Sequence, residues 1–197
     1  QISNTWNGKE DTPKLKKELE TILKGPKPSL VYSNWIGNGL RPLGSMLEKK
    51  NLKFLEFSGG MSDTKKRKVV NDYNSGKLDV LLLSSSGGEG LDLKNTRQIH
   101  IMEPHWNEAK ISQVIGRGIR YKSHINLPIS ERKVSVYHWI STPLMKDKNE
   151  MGTDEYLYQI ANQKIEDMRK FLETAIANSV EKKKVKPNLN MYEYLSL

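Results

Sequence analysis

Asp79-Val80-Leu81-Leu82-Leu83-Ser84 runs directly into Ser85-Ser86-Gly87-Gly88-Glu89-Gly90-Leu91-Asp92-Leu93. The Val80–Leu83 run shows no polar alternation, so it reads as a strand buried on both faces, the kind found inside a parallel sheet covered by helices. Gly87, Gly88 and Gly90 then supply a loop whose backbone can approach a ligand closely and tolerate positive φ. A bare glycine cluster is ordinarily an exposed flexible turn. This one sits just past a buried strand, at the carboxyl edge where open α/β sheets bind their ligands.

Working outward, the chain alternates helix and strand signals. Thr12-Pro13 reads as a helix cap followed by proline at the first helical position, and Leu15, Leu19, Ile22 and Leu23 supply an apolar stripe that ends at Gly25-Pro26. Leu30–Ser33 reads as a strand, Pro42–Lys50 as a helix, Phe54–Phe57 as a strand, and Lys65–Tyr73 as a basic helix capped by Ser62. Beyond the glycine loop come a strand at 98–102, a helix near 107–118 and a strand at 134–140. Strands separated by helices of this length pair in parallel through right-handed crossovers, which predicts a doubly wound α/β sheet with helices on both faces. Tyr32-Ser33, Ser58-Gly59-Gly60 and Ser84-Ser85-Ser86 then fall on one sheet edge with the glycine loop. A separate stripe through Leu157, Ile160, Ile165, Met168, Phe171, Leu172 and Ile176 predicts a long C-terminal helix. The ordinary reading of such a stripe is a helix packed across the domain, with a partner-binding coiled coil as the alternative. These signals divide the chain into a helical lead-in (1–27), an α/β domain (28–145), a helical extension (146–180) and a basic tail (181–197).

Composition sets limits. The 197 residues carry 32 Lys and Arg against 23 Asp and Glu, a net charge of +9, which suits a polyanionic partner such as nucleic acid. Hydrophobic residues at 36% are enough for a folded core. There is no cysteine, so no disulfide framework or thiolate zinc site can form, and His100, His124 and His138 lack metal-ligand spacing. No metal site is expected. No apolar run reaches membrane-spanning length and the start, Gln1-Ile2-Ser3-Asn4-Thr5, is polar, so no membrane partner is expected. A first residue other than Met points to an excised fragment or a processed product.

Gln113-Val114-Ile115-Gly116-Arg117-Gly118-Ile119-Arg120 follows the glycine loop. At about 100° per residue, Gln113, Arg117 and Arg120 share a narrow arc of a helix while Ile111, Val114 and Ile115 lie opposite. Such a polar arc is commonly a solvated face. Two arginines on a packed helix can also meet phosphates across a cleft, because the guanidinium stays charged and its fork matches phosphate oxygens. Between loop and helix, Pro104-His105-Trp106-Asn107 reads as architecture: proline ends the strand, Asn107 caps the next helix, and Trp106 packs beneath it.

The order 79–84, 85–93, Gln98–Asn107 and Gln113–Arg120 resembles motifs V and VI of superfamily 2 helicases and translocases. The Gly-Gly-Glu-Gly-Leu-Asp-Leu and Pro-His-Trp-Asn segments look closer to Swi/Snf-like translocases than to DEAD-box proteins. The continuation Arg120–Pro128 is similar to the transcription-associated ATPases of large cytoplasmic DNA viruses, of the early transcription factor small subunit and nucleoside triphosphate phosphohydrolase I type. Asp92 departs from the Asn common in Swi/Snf proteins, which favours the viral or general helicase branch. This resemblance implies a RecA-like fold, the second of two motor domains. It implies that Arg117 and Arg120 bind the terminal phosphates of ATP as arginine fingers, with Gln113 coupling nucleotide to the nucleic-acid motifs. Asp92 would bind the ribose, Gly90 and Glu89 would sit against the nucleotide, and Tyr32, Ser33, Gly59, Gly60, Ser84 and Ser85 would contact the nucleic-acid backbone.

The sequence has no G-x-x-x-x-G-K-[ST] phosphate loop and no Asp-Glu pair after an apolar strand; Asp154-Glu155 opens the late helix instead. The expected cofactors, ATP and magnesium, therefore require a first RecA-like domain that holds the metal, and this chain alone is expected to be inactive. The resemblance further implies DNA rather than RNA as partner, transcription machinery as the setting, and an intracellular location, the host cytoplasm and the virion for a virus. The alternative is a non-enzymatic nucleic-acid-binding or regulatory module that keeps the fold without turning over ATP.

Overall fold

Thr12 opens the first helix as the sequence requires. Its Oγ1 accepts from the Leu15 N–H at 3.4 Å and donates to the Asn4 carbonyl at 2.8 Å, with Pro13 at the first helical position. The computed structural model describes residues 4–5, 12–86, 91–142 and 151–178. Helix α1 spans Pro13–Lys24, and strand β1 (Ser29–Ser33) follows. A short π-helical turn at Ile36–Leu40 leads into α2 (Arg41–Lys49), then β2 (Phe54–Phe57), α3 (Asp63–Asn74) and β3 (Val80–Ser84). β4 (Gln98–Ile101), α4 (Glu108–Gly118), β5 (Ser135–His138) and α5 (Thr153–Ala177) complete the order.

The five strands form one sheet in the order β2-β3-β1-β4-β5, and every neighbouring pair is parallel. β3 is buried at all five positions, as its unbroken apolar run predicts. Alternation along the strands sorts the core into two layers. Leu30, Tyr32, Leu81, Leu83, Ile99 and Ile101 face α3 and α4, where Val69, Tyr73, Ile111, Val114 and Ile115 meet them. Val31, Val80, Leu82 and Met102 face α1 and α2, whose Leu15, Leu19, Ile22, Leu43 and Leu47 complete the second layer. The crossover from β1 to β2 runs one way with α2 on one face; the crossover from β2 to β3 returns with α3 on the other. Reversing direction and face together keeps one hand for both crossovers, as the chirality rule for parallel strands demands.

One glycine decides how closely α4 can lie on the sheet. A Cβ on Gly118 would stand 2.9 Å from Ile99 Cδ1 and 3.2 Å from Thr96 Cγ2, so the last turn of α4 docks on β4 only without a side chain there.

Two sequence expectations need correction. α5 is a helix, but of its residues only Asp154 and Ala161 are buried; Ile165, Met168, Phe171 and Leu172 are exposed, so the helix does not pack its stripe across the domain. Its first turn is instead held by charge. Asp154 Oδ2 accepts from Lys14 Nζ at 3.0 Å and from the Ser141 N–H at 2.9 Å, with both charged side chains almost wholly buried. Trp106 does not lie beneath α4: it is 56% exposed, stacked on His105 at 5.4 Å, and covered by Lys164 of α5, whose ammonium is 4.8 Å from the ring centroid. Among the described residues no helix is long and apolar enough to cross a membrane.

Candidate nucleotide and nucleic-acid site

Register places the polar loops together. Ser33 pairs with Ser84 across β1 and β3, and Phe57 with Leu83 across β2 and β3, so all three strands deliver their loops to one edge. There the Gly59 N–H donates to Ser86 Oγ at 3.3 Å, and a Cβ on Gly59 would come within 2.7 Å of the Ser86 carbonyl. The two loops touch through backbone, which explains a glycine at 59.

A cleft of about 280 Å³ opens on this edge, lined by Tyr32, Ser85, Asn107, Lys110, Gln113 and Arg117. α4 positions most of this set. Asn107 caps the helix, its Oδ1 accepting from the Ala109 N–H at 3.1 Å, while His105 Nδ1 accepts from the Asn107 N–H at 2.9 Å and fixes the entry turn. Burial of Ile111, Val114 and Ile115 then directs Gln113 and Arg117 outward. Lys110 and Arg117 bring two cations to the cleft beside the amides of Asn107 and Gln113, a donor set suited to phosphate oxygens. Lys110 lies two turns before Arg117 on the same face of α4; the motif reading passed it over.

Arg120 occupies a different place from the one its helical spacing predicts. α4 ends at Gly118, and Ile119 is extended (φ −125°, ψ 92°), so Arg120 leaves the helix before its own turn. Its Nε donates to the Gly116 carbonyl at 3.3 Å, and its Nη1 stands 4.0 Å from Asp92 Oδ1. The structure thus brings Arg120 to Asp92, and Gln113 and Arg117 to the cleft. Asp92 is held by the residue that ends α3: Asn74 Nδ2 donates to the Asp92 carbonyl at 2.9 Å and its Oδ1 accepts from the Lys94 N–H at 2.8 Å. Asparagine at a helix terminus carries no signal of such a clamp. Glu89 and Gly90 lie outside the described residues.

The remaining expected contacts divide by exposure. Ser85 is exposed, as are Gly59 and Gly60. Tyr32, Ser33 and Ser84 are buried. Ser33 Oγ donates to the Glu103 carboxylate at 3.0 Å and accepts from the Trp35 N–H at 3.0 Å; Ser84 Oγ donates to the Phe57 carbonyl at 3.4 Å. Glu103, which sequence reading missed, also accepts from the Asn34 N–H and from Asn4 Nδ2 at 2.9 Å. Burial pushes its carboxyl above the usual range, with the hydrogen bonds from Asn4, Asn34 and Ser33 and the Lys14 charge opposing. Burial also raises the Tyr32 hydroxyl, helped by the Glu103 charge, so it stays neutral and donates to Asn34 Oδ1 at 2.9 Å. Among the described residues no group of three acidic, histidine or cysteine side chains could hold a metal ion.

A parallel sheet layered by helices, with basic side chains on its carboxyl edge, defines a RecA-like α/β domain. Solved structures share the fold: the C-terminal part of the Fun30 ATPase domain (TM-score 0.57, 18% identity, 79% of this chain and 55% of that one) and the yeast DEAD-box splicing factor Prp28 (TM-score 0.56, 15% identity, 76% and 30%). The chain belongs to the helicase conserved C-terminal domain family, whose pattern matches residues 13–122. It is 46% identical over 181 residues to a protein of Acanthamoeba polyphaga mimivirus named as a candidate ATP-dependent RNA helicase, covering 92% of this chain and 40% of that protein. A second mimivirus protein of the same name type is 35% identical over 136 residues, covering 64% of this chain and 17% of its own length. A protein of Invertebrate iridescent virus 3, named as a candidate helicase, is 29% identical over 170 residues, covering 73% and 17%. The chain therefore spans less than half the length of these curated relatives.

Proposed function

We propose that this chain is the second motor domain of a nucleic-acid translocase, contributing half of an ATP site whose phosphate loop and magnesium belong to a first RecA-like domain. The observation that carries this reading is the arrangement around α4, with Gln113, Lys110 and Arg117 on the cleft and Arg120 beside Asp92. Arg117 and Arg120 meet the terminal phosphates and balance the charge that builds as they leave, and Asp92 accepts from the ribose hydroxyls. Bound ATP supplies the free energy that closes the two domains. Gln113 shares the cleft with Tyr32 and Ser85, so it links nucleotide to the nucleic-acid edge.

Nucleic acid runs along the edge formed by residues 32–33, 59–60 and 84–85. The Tyr32, Ser33 and Ser84 hydroxyls are bonded within the protein, so phosphate contact there falls to Ser85 and the main chain of Gly59 and Gly60. The segments Pro104–Asn107 and Arg120–Pro128 support duplex DNA as the track and a transcription-linked role; the mimivirus relatives bear the name of RNA helicases. The test is ATP hydrolysis by the polypeptide that joins this chain to a phosphate-loop domain, measured with duplex DNA, single-stranded DNA and RNA. Greater stimulation by DNA is expected. Stimulation by RNA alone would retain the motor and overturn its DNA track; binding of either nucleic acid without any coupled hydrolysis would support the regulatory module instead.

A further inference from the structure

α4 holds Arg117, but it does not hold Arg120. Past the helix end the chain turns through Arg120–His124, with Lys122 in the left-handed region (φ 61°), and the turn is bonded inside and out. Inside it, the Arg120 N–H donates to Ser123 Oγ at 3.1 Å and the Ser123 N–H donates to the Arg120 carbonyl at 2.9 Å. Outside it, the Asn95 N–H donates to the Ser123 carbonyl at 3.0 Å, and His124 Nε2 lies 2.6 Å from the Thr96 carbonyl. His124 Nδ1 is 2.7 Å from Ser123 Oγ. These contacts fix which way the outer link donates. A carbonyl only accepts, so Nε2 carries a ring proton and donates to Thr96; Ser123 Oγ accepts from the Arg120 N–H and shares a second hydrogen bond with Nδ1. The chain of hydrogen bonds runs from Arg120 through Ser123 and His124 to Thr96 with every link satisfied.

Its far end is firm. Thr96 and Ser123 are buried, and Thr96 Oγ1 is 2.9 Å from the Tyr73 hydroxyl in the core. Asn95 and Thr96 also continue the segment that starts at Asp92, which Asn74 clamps. The backbone of Arg120 is thus tied to the same short loop that carries Asp92, while its guanidinium is left exposed to reach a ligand.

We infer that Ser123 and His124 are positioning residues for Arg120, holding this finger in register with Asp92 where the helix no longer can. The inference rests on the reading of Arg120 and Asp92 as nucleotide-binding groups. In the polypeptide that carries the phosphate-loop domain, single-turnover ATP hydrolysis would be compared for Ser123→Ala, Ser123→Thr and His124→Ala, each with Arg120 present and in an Arg120→Ala background, alongside thermal melts. Loss of register should slow the chemical step about ten- to a hundredfold for Ser123→Ala and His124→Ala with KM little changed, and Ser123→Thr should recover most of the rate. In the Arg120→Ala background the same substitutions should add nothing, because no finger remains to be positioned. If Arg120→Ala slows hydrolysis strongly while Ser123→Ala and His124→Ala leave it intact, or slow it by the same factor in both backgrounds, the positioning role is overturned and the nucleotide reading survives. If Arg120→Ala itself is without effect, the nucleotide reading falls and this inference with it. Should Ser123→Ala fail to fold, His124→Ala carries the comparison.

Discussion

Arg120 Nη1 and Asp92 Oδ1 face each other at 4.0 Å across the gap between the end of α4 and the loop after β3, with 44% and 61% of their side chains exposed. At this distance and exposure the pair contributes little to stability, on the order of 0–1 kcal/mol. Each group can exchange its partner for a ligand at small cost. Asp92→Ala should therefore leave the thermal midpoint nearly unchanged while raising the KM for ATP about tenfold to a hundredfold, the effect of losing hydrogen bonds between a carboxylate and hydroxyls. The same variant should lose the preference for ATP over its 2′,3′-dideoxy analogue; a preference that persists would remove Asp92 from the ribose.

Gly118 and Gly116 lie two residues apart on α4 yet should respond in opposite ways to alanine. At 118 the new methyl meets Ile99 and Thr96, and overpacking of this kind costs about 1–3 kcal/mol. At 116 nothing lies within 4 Å, so alanine's higher helix propensity should raise stability by about 0.5–1 kcal/mol. Urea titration of the two variants measures both.

The buried pair Lys14–Asp154 should behave as a unit. Asp154→Asn removes the carboxylate bonded to the Lys14 ammonium, which is only 6% exposed, and breaking such a pair costs about 3–5 kcal/mol. Replacing both, Lys14→Met with Asp154→Leu, should recover most of that loss. Hydrogen exchange in the first turns of α5 should accelerate in the single variant and return toward the parent rate in the double.

Two buried titratable groups give stability a defined pH profile. Burial pushes the Glu18 carboxyl up to about 8, with Lys14 pulling it down and Glu103 pushing it further up, and neither Glu18 oxygen has a hydrogen-bond partner among the described residues. A raised folded value means the folded state keeps a proton that the unfolded state has shed, so stability is full below the ordinary value of 4.5 and declines as pH rises toward 8. Glu103, also raised, adds to the same slope. Burial lowers His100 to about 3, so its contribution is full above 6.5 and is lost as pH falls toward 3. Glu18 therefore acts on its own side above pH 6.5, His100 on its own side below 4.5, and between them the two slopes oppose. Glu18→Gln should raise the melting temperature most near pH 8 and flatten the profile between pH 6.5 and 8; an unchanged profile would show that Glu18 is ionised in the fold.

The sheet was readable because periodicity reports burial directly. The unbroken Val80–Leu83 run declared an inner strand, and glycine, proline and the Thr12 and Asn107 caps marked element ends to within a residue or two. Patterning failed where geometry depends on long-range partners. Helical spacing carried Arg120 onto α4, whereas the helix stops at Gly118 and the turn is made by bonds to Asn95 and Thr96. The stripe on α5 predicted packing, yet Asp154 reaching Lys14, 140 positions away in sequence, decides where the helix sits. The roles of Asn74, Glu103, Ser123 and His124 were not legible for the same reason: each residue is hydrogen-bonded to a distant segment, and no local pattern encodes that.

The central claim is that the arginines of this chain act on a nucleotide held by another domain. Steady-state ATP hydrolysis by this chain alone, and by the same chain joined to a phosphate-loop domain, tests it most directly. No turnover is expected from the chain alone, and nucleic-acid-stimulated turnover from the joined protein, reduced about a thousandfold or more by Arg120→Ala. Strong hydrolysis by the chain alone, abolished by Arg120→Ala, would contradict it.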